Sequence, residues 1–248
     1  MNITLHPSAQ IDAGLLCGHN VVVEANVSIG LSCQIGHGVI IHAGTQIGDR
    51  VRIDDNAVLG KLPMRSSRSA TTTCAELAPC IIKDDCMIGA NAIIYRGALI
   101  EDGVMVADLA TVREETTIGP FTIIGRNVAV ENKVEIGARC KIETNAYITA
   151  LSTVHDDCFI APEVTFSNDR FLGRTLERFK HHRGVTMMQG ARIGANATIL
   201  PGITIGADAL VGAGSVVTHD VTDRMTVIGS PARERRPVPA EQLLEHQI

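Results

Sequence analysis

The chain has 248 residues, a net charge of −5 and no long run of like charges, so it can bury a sizeable core and is not expected to bind nucleic acid. Hydrophobic residues make up 45% of it but aromatic residues only 3%, which requires an interior of Ile, Val and Ala. There is no apolar stretch near the ~18 residues of a membrane span and no signal-peptide pattern, which predicts a cytoplasmic protein.

An apolar residue recurs at every sixth position in three runs, over residues 5–59, 82–166 and 187–217. Gly, Asn or Asp dominates three places after the apolar residue, and these residues tolerate the left-handed backbone of a tight corner. Small or β-branched residues stand four places after it and fit a narrow interior. Each hexad is therefore predicted to form a short strand and a corner. Three hexads would close a triangular coil, and about ten coils would stack into a β-solenoid.

The repeat is interrupted near residues 61–81 and near residues 168–186. Interruptions of a solenoid project as loops from one edge and often carry function. The first contains Arg65 and Arg68 among Ser and Thr, and an ordinary solvated loop is its alternative. The second is expected to bind a ligand, because its guanidinium groups suit phosphates. Its basic or titratable side chains are Arg170, Arg174, Arg178, Lys180, His181, His182 and Arg183.

The hexads resemble, over nearly the whole chain, those of the hexapeptide-repeat acyltransferases. The resemblance implies an all-β fold, a left-handed parallel β-helix, over residues 1–221. Residues 222–248 would form a C-terminal tail with a short capping helix. A homotrimer is implied as well, because the cofactor groove of this family lies between two subunits.

The segments IGANATILPGITIGADALVGAGSVVTHDV (193–221) and VIGSPAR (227–233) are similar to the last coils and tail of family members that use coenzyme A. The similarity implies acetyl-CoA as the acyl donor and no metal. Arg233 would face the nucleotide phosphates of the coenzyme. Backbone amides at corners would hold pantetheine, and the corner residues implied are Gly194, Ala195, Gly212 and Ala213. Glycine and alanine are also the consensus of the repeat, which is the alternative explanation for each of these four.

Another resemblance is to the N-acetyltransferases that act on nucleotide-linked amino sugars. It lies in the order of four segments: KIETNAYIT (141–149), FIAPEVTFSNDRF (159–171), the second interruption (168–186), which we call the basic loop, and MQGARIGANATI (188–199). It implies acylation of the amine of a UDP- or dTDP-linked 3- or 4-amino sugar. Relatives often have Gln-Asn-Asn where this chain has Glu-Thr-Asn. By the resemblance, the contacts near the amine would be Asn145, Asn168 and Asp169, with Glu143 placed to accept a proton.

Acyl transfer to an amine needs a route for one proton, which the departing thiolate can itself accept. His155 is the candidate base among the histidines, because it precedes the Asn168 coil and its ordinary pKa is suitable. A plain surface histidine is the alternative for it, and a left-handed turn residue is the alternative for Asn145. Further contacts to phosphate or sugar are expected from Arg170, Arg174, Lys180 and His181.

Two other function classes remain open. Metal-dependent carbonic anhydrases share this fold, and His37 and His42 stand five residues apart, with His19 one coil below His37. No matching histidine stands two coils before the first of this pair, where the third ligand of such enzymes is expected, and stacked surface histidines are the simpler interpretation. The second class is a non-catalytic solenoid that serves assembly or binding.

The seven cysteines include no CxxC pair, so neither a disulfide framework nor a zinc site is favoured. Cys17 stands on the apolar register. Four others fall at the small inward position and are expected to be buried, namely Cys33, Cys86, Cys140 and Cys158. Cys74 and Cys80 are expected outside the repeat.

Overall fold

The computed structural model describes residues 3–72 and 76–247, and nearly all of its regular structure is short β-strand. The first strands in chain order are β1 (Ile3–Leu5), β2 (Gln10–Ile11), β3 (Leu16–Cys17), β4 (Val21–Val23), β5 (Ser28–Ile29), β6 (Gln34–Ile35), β7 (Ile40–Ile41), β8 (Gln46–Ile47), β9 (Arg52–Ile53), β10 (Val58–Lys61) and β11 (Ile81–Ile82). The next are β12 (Met87–Ile88), β13 (Ile93–Tyr95), β14 (Leu99–Ile100), β15 (Met105–Val106), β16 (Thr111–Val112), β17 (Thr117–Ile118), β18 (Ile123–Ile124), β19 (Ala129–Val130), β20 (Glu135–Ile136), β21 (Lys141–Ile142) and β22 (Tyr147–Ile148). The last are β23 (Thr153–Val154), β24 (Phe159–Ile160), β25 (Thr165–Phe166), β26 (Thr186–Met187), β27 (Arg192–Ile193), β28 (Thr198–Ile199), β29 (Thr204–Ile205), β30 (Leu210–Val211), β31 (Val216–Val217), β32 (Met225–Gly229) and β33 (Ala232–Pro237).

Successive strands enter three sheets in turn, and through most of the chain each strand pairs in parallel with the strand one coil further on. Val112 faces Val130, for example, and Ile118 faces Ile136. Over the described residues the sheets have eleven, ten and twelve strands. The expected parallel β-solenoid is therefore confirmed, with eleven coils where about ten were expected. We call the corner between the first and second sheets the first edge, that between the second and third sheets the second edge, and that between the third and first sheets the third edge.

The apolar register fills one continuous core. Ile94, Ile100, Ile118 and Ile124 are all 0% exposed, because each strand turns its second residue into the interior. Burying one such side chain stabilises the fold by about 1.5–3 kcal/mol. The corners have the predicted left-handed backbone, with φ of 56° at Asn127.

Both insertions leave the solenoid at the first edge. The first joins β10 to β11 and the second joins β25 to β26, so each replaces a corner between the first and second sheets. The second contains one helical turn, α1 (Arg178–His181). The helices in the described part of the chain are single turns of three or four residues, which are too short to cross a bilayer.

The repeat extends beyond Val221, where the sequence pattern ended it. Val221 bridges to Ile205, and β32 pairs in parallel with β30, so one more coil begins. β33 then pairs antiparallel with β32, and its charged side chains protect the sheet edge from further pairing. In place of one short capping helix there are two 3-10 turns, Ala240–Gln242 and Leu244–His246, which lie beside the third sheet.

The cysteines are buried more completely than the sequence predicts. The four expected at inward positions are 0–2% exposed, and Cys17 is partly buried. Placing Cys80 outside the repeat was wrong, because it is 0% exposed at the inward position two residues before Ile82. The sequence pattern does not show this inward position, because the insertion interrupts the hexad before it. Cys74 lies outside the described residues.

In a Cys74→Ser variant at pH 8, we expect a disulfide reagent to modify only Cys17 within minutes. Burial raises the pKa of Cys80 to about 12 and that of Cys86 to about 11, so almost no thiolate forms, and the reagent has no access to the sulfur. Absorbance of the released thiol measures the reaction, and guanidinium-unfolded protein should titrate completely. Rapid modification of a second thiol in the folded protein would contradict this packing.

Candidate functional site

Two columns of mostly polar residues lie on the first edge. Because one coil adds 18 residues, residues 18 apart lie above one another. The two columns are Arg113, Glu131, Thr149 and Ser167, and Glu114, Asn132, Ala150 and Asn168. Hydrogen bonds between neighbouring coils confirm the stacking, since Arg113 bonds to Glu131 and the Asn168 amide bonds to the Ala150 carbonyl.

A buried ion pair lies in the lower part of these columns. Glu114 is 2% exposed and accepts two hydrogen bonds from the Arg113 guanidinium, from Nε and from Nη2, both at 3.0 Å. Arg113 Nη1 also donates to Glu131 at 3.1 Å, and the guanidinium lies 5.4 Å from the Tyr95 ring. The bidentate hydrogen bonds to Glu114 and the contact with a second acid, Glu131, offset the cost of desolvating the guanidinium.

The first insertion crosses the first edge and covers this pair, and we call its described residues, 62–72 and 76–79, the strap. Arg113 Nη2 donates to Thr72 Oγ1 at 2.9 Å, Asn132 Nδ2 to the Thr71 carbonyl at 2.9 Å, and Arg96 Nε to the Leu77 carbonyl at 3.1 Å. The strap is therefore attached at three successive coils. Its Arg65 and Arg68 are exposed.

One acceptor beneath the strap is unused. Asn132 is 0% exposed, and its Oδ1 has no hydrogen-bond partner among the described residues. Such a buried polar atom costs free energy unless a water or ligand satisfies it. The column is therefore suited to receive a polar group.

Asn168 stands at the top of the same column, where the second insertion begins. Its Nδ2 donates to the Ala150 carbonyl at 3.4 Å, and its own carbonyl accepts the Arg183 amide at 3.2 Å. The side-chain oxygen forms no hydrogen bond with a described residue. Asn168 therefore presents a free acceptor beside the basic loop, as the predicted sugar contact requires.

Asp169 holds the second insertion together. Its carboxylate accepts the amides of Phe171 and Gly173, both at 2.9 Å, and Arg178 Nη1 at 3.0 Å, with His182 Nε2 at 3.7 Å. Desolvation opposes ionisation, but these amides and cations outweigh it and hold the pKa of Asp169 below its ordinary value. With both oxygens engaged, Asp169 anchors the loop in addition to any contact it makes with a sugar.

The basic side chains of the second insertion fall into two groups. Arg178 is paired with Asp169, and Lys180 and His181 contact Glu177 at 3.0 and 3.4 Å. The exposed side chains without a hydrogen bond or ion pair to the described residues are those of Arg170, Arg174 and Arg183. These three guanidinium groups are available to a phosphate.

The other candidate catalytic residues lie on different edges of the chain. Glu143 and Asn145 follow β21 on the third edge. Glu143 pairs with Lys141 at 3.2 Å, while Asn145 has a φ of 62° and links Asn127 to Glu163 in a ladder of side chains. His155 is exposed on the second edge, beside a cavity of about 610 Å³. One chain therefore does not bring Asn168, Glu143 and His155 together.

The candidate cofactor residues lie on the third edge near the C-terminal end. Lower on this edge some corner amides are capped by a side chain one coil further on, such as the Ala90 amide by Asp108, whereas those of Asp108, Arg126 and Thr144 have no acceptor among the described residues. The equivalent amides of Ala195 and Ala213 have no acceptor among the described residues, so they fit the role of donors to pantetheine. Gly194 and Gly212 are required by packing, because an added Cβ would lie 2.6 Å from the Ala213 nitrogen or 2.8 Å from Ile228 Cγ1.

Arg233 lies exposed on β33, where its Nη1 donates to the carbonyl of Ala232 at 2.8 Å. Its side chain makes no ion pair with a described residue, so its charge is available to a phosphate.

The histidines that suggested a metal pair are separated. His37 is on the third edge, where its ring stacks on that of His19 with centroids 5.4 Å apart. His42 is on the first edge and pairs with Glu24. Within residues 3–72 and 76–247, no three His, Cys, Asp or Glu side chains converge as metal ligands.

Sequence reasoning missed Arg113, Glu114, Glu131 and Asn132. A signal was available, because charged or amide residues follow two successive first-sheet strands at a spacing of 18, in the same places as Ser167 and Asn168. A corner normally needs only small or turn-forming residues there.

We expect Glu114→Ala to lower the free energy of unfolding by about 3–5 kcal/mol, because it leaves the Arg113 guanidinium without its bidentate partner in a half-buried place. The matched control is Asp85→Asn, which removes the exposed acid paired with Arg50, keeps a residue that tolerates the left-handed backbone at this corner, where φ is 58°, and should cost much less. Chemical denaturation of both variants checks this. Equal costs would show that the strap does not exclude water from the pair.

We expect Asp169→Ala to speed tryptic cleavage within the second insertion at least tenfold, because the loop loses the acceptor of two amides and one guanidinium. Glu177→Ala, which removes an exposed acid of the same loop, should change the rate less than twofold. Mass spectrometry of the fragments identifies the cut sites. Unchanged cleavage in Asp169→Ala would mean that other contacts hold the loop.

Two sequence families match the chain. The family described as "Bacterial transferase hexapeptide (six repeats)" matches residues 115–150 and 184–219. The family described as "Hexapeptide repeat of succinyl-transferase" matches residues 26–61 and 79–107. A serine acetyltransferase of Buchnera aphidicola subsp. Acyrthosiphon pisum is 40% identical over 81 residues, which is 33% of this chain and 27% of that protein. The similarity thus spans about a quarter of that relative's length.

A solved structure shares the fold. The UDP-N-acetylglucosamine acyltransferase of Francisella novicida superposes with a TM-score of 0.52 and 15% identity, over 95% of this chain and 68% of that chain. WeeI from Acinetobacter baumannii gives 0.45 and 22%, over 52% of this chain and 56% of that chain. Since the two hexapeptide families together match more than half of its residues, the chain belongs to the hexapeptide-repeat acyltransferase family.

Proposed function

We propose that the protein is a coenzyme A-dependent N-acyltransferase that acetylates the amine of a nucleotide-linked 3- or 4-amino sugar. The observation that carries the proposal is the position of Asn168, whose free side-chain oxygen ends a polar column directly beside the basic loop. An amide oxygen accepts hydrogen bonds from an amine, and the neighbouring guanidinium groups suit the diphosphate of a nucleotide sugar.

The uncapped amides of Ala195 and Ala213 support use of coenzyme A. They lie one coil apart on an exposed strip, and Arg233 on β33 adds a cation for phosphates. The serine acetyltransferase similarity over a third of this chain also supports acetyl transfer.

The reaction forms a C–N bond to the acyl carbon of the coenzyme thioester, breaks the C–S bond and releases the thiol. Asn168 Oδ1 would orient the amine by accepting one of its N–H groups, and Asp169 would keep the basic loop in place around the phosphates. The proton lost by the amine passes to the departing sulfur or to Glu143 on the third edge of the neighbouring subunit, whereas His155, on the second edge, lies outside this contact.

The arrangement of edges supports a homotrimer. Asn168 lies on the first edge and Ala195 on the third, so a single chain keeps acceptor and donor sites apart. Two copies packed edge to edge would face the first edge of one toward the third edge of the other, and three such contacts close a ring. We place this trimer in the cytoplasm, where both coenzyme and nucleotide sugars are available.

We expect thiol release from acetyl-CoA with at least one member of a panel of UDP- and dTDP-linked 3-amino and 4-amino sugars. Asn168→Ala should lower kcat/KM about 100-fold, because a misoriented amine no longer reaches the thioester. A colorimetric disulfide reagent follows the thiol, and mass spectrometry identifies the acetylated sugar.

The matched control is Asn91→Gly, which changes an asparagine on the third edge and keeps its left-handed corner, where φ is 57°. It should retain wild-type kcat/KM. A folded trimer that binds coenzyme A but turns over no amino sugar would refute the acceptor assignment. Failure to bind coenzyme A would favour a non-catalytic solenoid.

A further inference from the structure

A second cavity, of about 590 Å³, opens on the first edge below the strap. It lies between coils two and five, far down the solenoid from Asn168 and from the corner amides of Ala195 and Ala213. Neither the acyl donor nor the amino sugar of the proposed reaction requires it.

A carboxylate and an imidazole are fixed on one wall of this cavity. Glu24 Oε1 lies 3.2 Å from His42 Nδ1, and Glu24 Oε2 accepts the amide of Ala43 at 2.9 Å. The backbone carbonyl of His42 accepts Thr45 Oγ1 at 2.7 Å, so the residue is held at both ends. This pairing places the Nδ1 proton toward Glu24. His42 Nε2 forms no hydrogen bond with a described residue and remains available to a ligand.

Two cations line the same cavity without an acidic partner. Arg96 donates to the carbonyls of Ala43 at 2.6 Å and Leu77 at 3.1 Å, which position the guanidinium but leave its charge uncompensated. Lys61 Nζ lies 4.9 Å from the centroid of the Tyr95 ring. Neither cation has a carboxylate within 4.0 Å among the described residues. Half-buried cations of this kind attract an anion.

Backbone packing keeps this arrangement in place. Gly60 has a φ of 74°, and a Cβ there would press on Thr45 Oγ1 and come within 3.4 Å of His42 Cβ. The strap then leaves the solenoid directly after Lys61, and Leu77 on its returning half receives the Arg96 hydrogen bond. Strap, histidine and both cations are thus positioned by one another.

We propose that this cavity binds the phosphate monoester of a small hydroxylated molecule. Lys61 and Arg96 would bind the phosphate, while the carboxylate of Glu24 in the same cavity is engaged by His42 and the Ala43 amide. His42 Nε2, oriented by Glu24, would hydrogen-bond a hydroxyl group of the same molecule. The volume exceeds that of phosphate alone and accommodates a body the size of a sugar. Both a free sugar phosphate and a nucleoside monophosphate carry this chemistry.

Isothermal titration calorimetry on the full-length protein, without acyl-CoA, tests the proposal. The probes are glucose 1-phosphate, UMP and inorganic phosphate. We expect at least one of the two monoesters to bind, and at least fivefold more tightly than inorganic phosphate. The monoester that binds more tightly shows whether the natural ligand is a sugar phosphate or a nucleoside monophosphate. Lys61→Gln should weaken binding at least tenfold, and His42→Gln should reduce the preference over inorganic phosphate.

The matched control is Lys83→Gln, which removes an exposed lysine paired with Glu101 on the second edge and should leave the affinity unchanged. Asn168→Ala should also bind the monoester as the wild type does, so that this site and the proposed acyl-transfer site fail or succeed separately. Circular dichroism verifies that each variant is folded. No binding of either monoester at 10 mM, equal affinity for inorganic phosphate, or an unaffected Lys61→Gln variant would overturn the proposal.

Discussion

The structure depends on the hydrogen bonds that each short strand makes to the coils above and below it. A strand such as Ile123–Ile124 is two residues long and satisfies its backbone only through neighbours, as in the bonds from the Ile123 amide to the Cys140 carbonyl and from the Gly125 amide to the Ile142 carbonyl. No coil is stable alone, and the period must be kept throughout. An extra residue within a strand would turn its inward side chains outward. Additional chain is tolerated only where it leaves at a corner, and both insertions do so on the first edge.

This constraint explains which parts of the fold the sequence could predict. Register side chains are apolar in every coil and the inward residues two places before them are mostly small or β-branched, so the hexad register and the left-handed corners are visible in the residues themselves. The register is not visible in the sequence at corners whose length differs from that of the repeat. Cys80 is inward although the insertion precedes it, and the step from Val217 to Val221 is four residues where the coil continues. The pairing of β33 with β32 depends on a local hairpin and carries no hexad signal.

The site was predictable only where a residue departs from the corner pattern. Asn168 is one place short of the left-handed position, and this singled it out. Glu114 and Asn132 stand in the same place one coil apart, but their importance comes from the strap. Thr72 and Thr71 contact Arg113 and Asn132 across 41 and 61 residues of sequence. A periodic pattern contains no information about which coil a loop returns to.

The strap also gives the first edge two environments. Where it lies, it removes water from the Arg113–Glu114 pair, and a buried pair of this kind contributes little net stability because desolvation offsets the attraction between its charges. The pair instead fixes the position of the strap, because Thr72 Oγ1 accepts the hydrogen bond from Arg113 in only one placement of the strap. Below the strap, Arg96 bonds to the strap at Leu77 and to the solenoid at Ala43, and its charge has no acid to neutralise it. The strap is therefore held at one coil by Arg113, whose charge is neutralised by acids, and at the coil before it by Arg96, whose charge is not. Only Arg96 leaves a positive charge that an anionic ligand can neutralise.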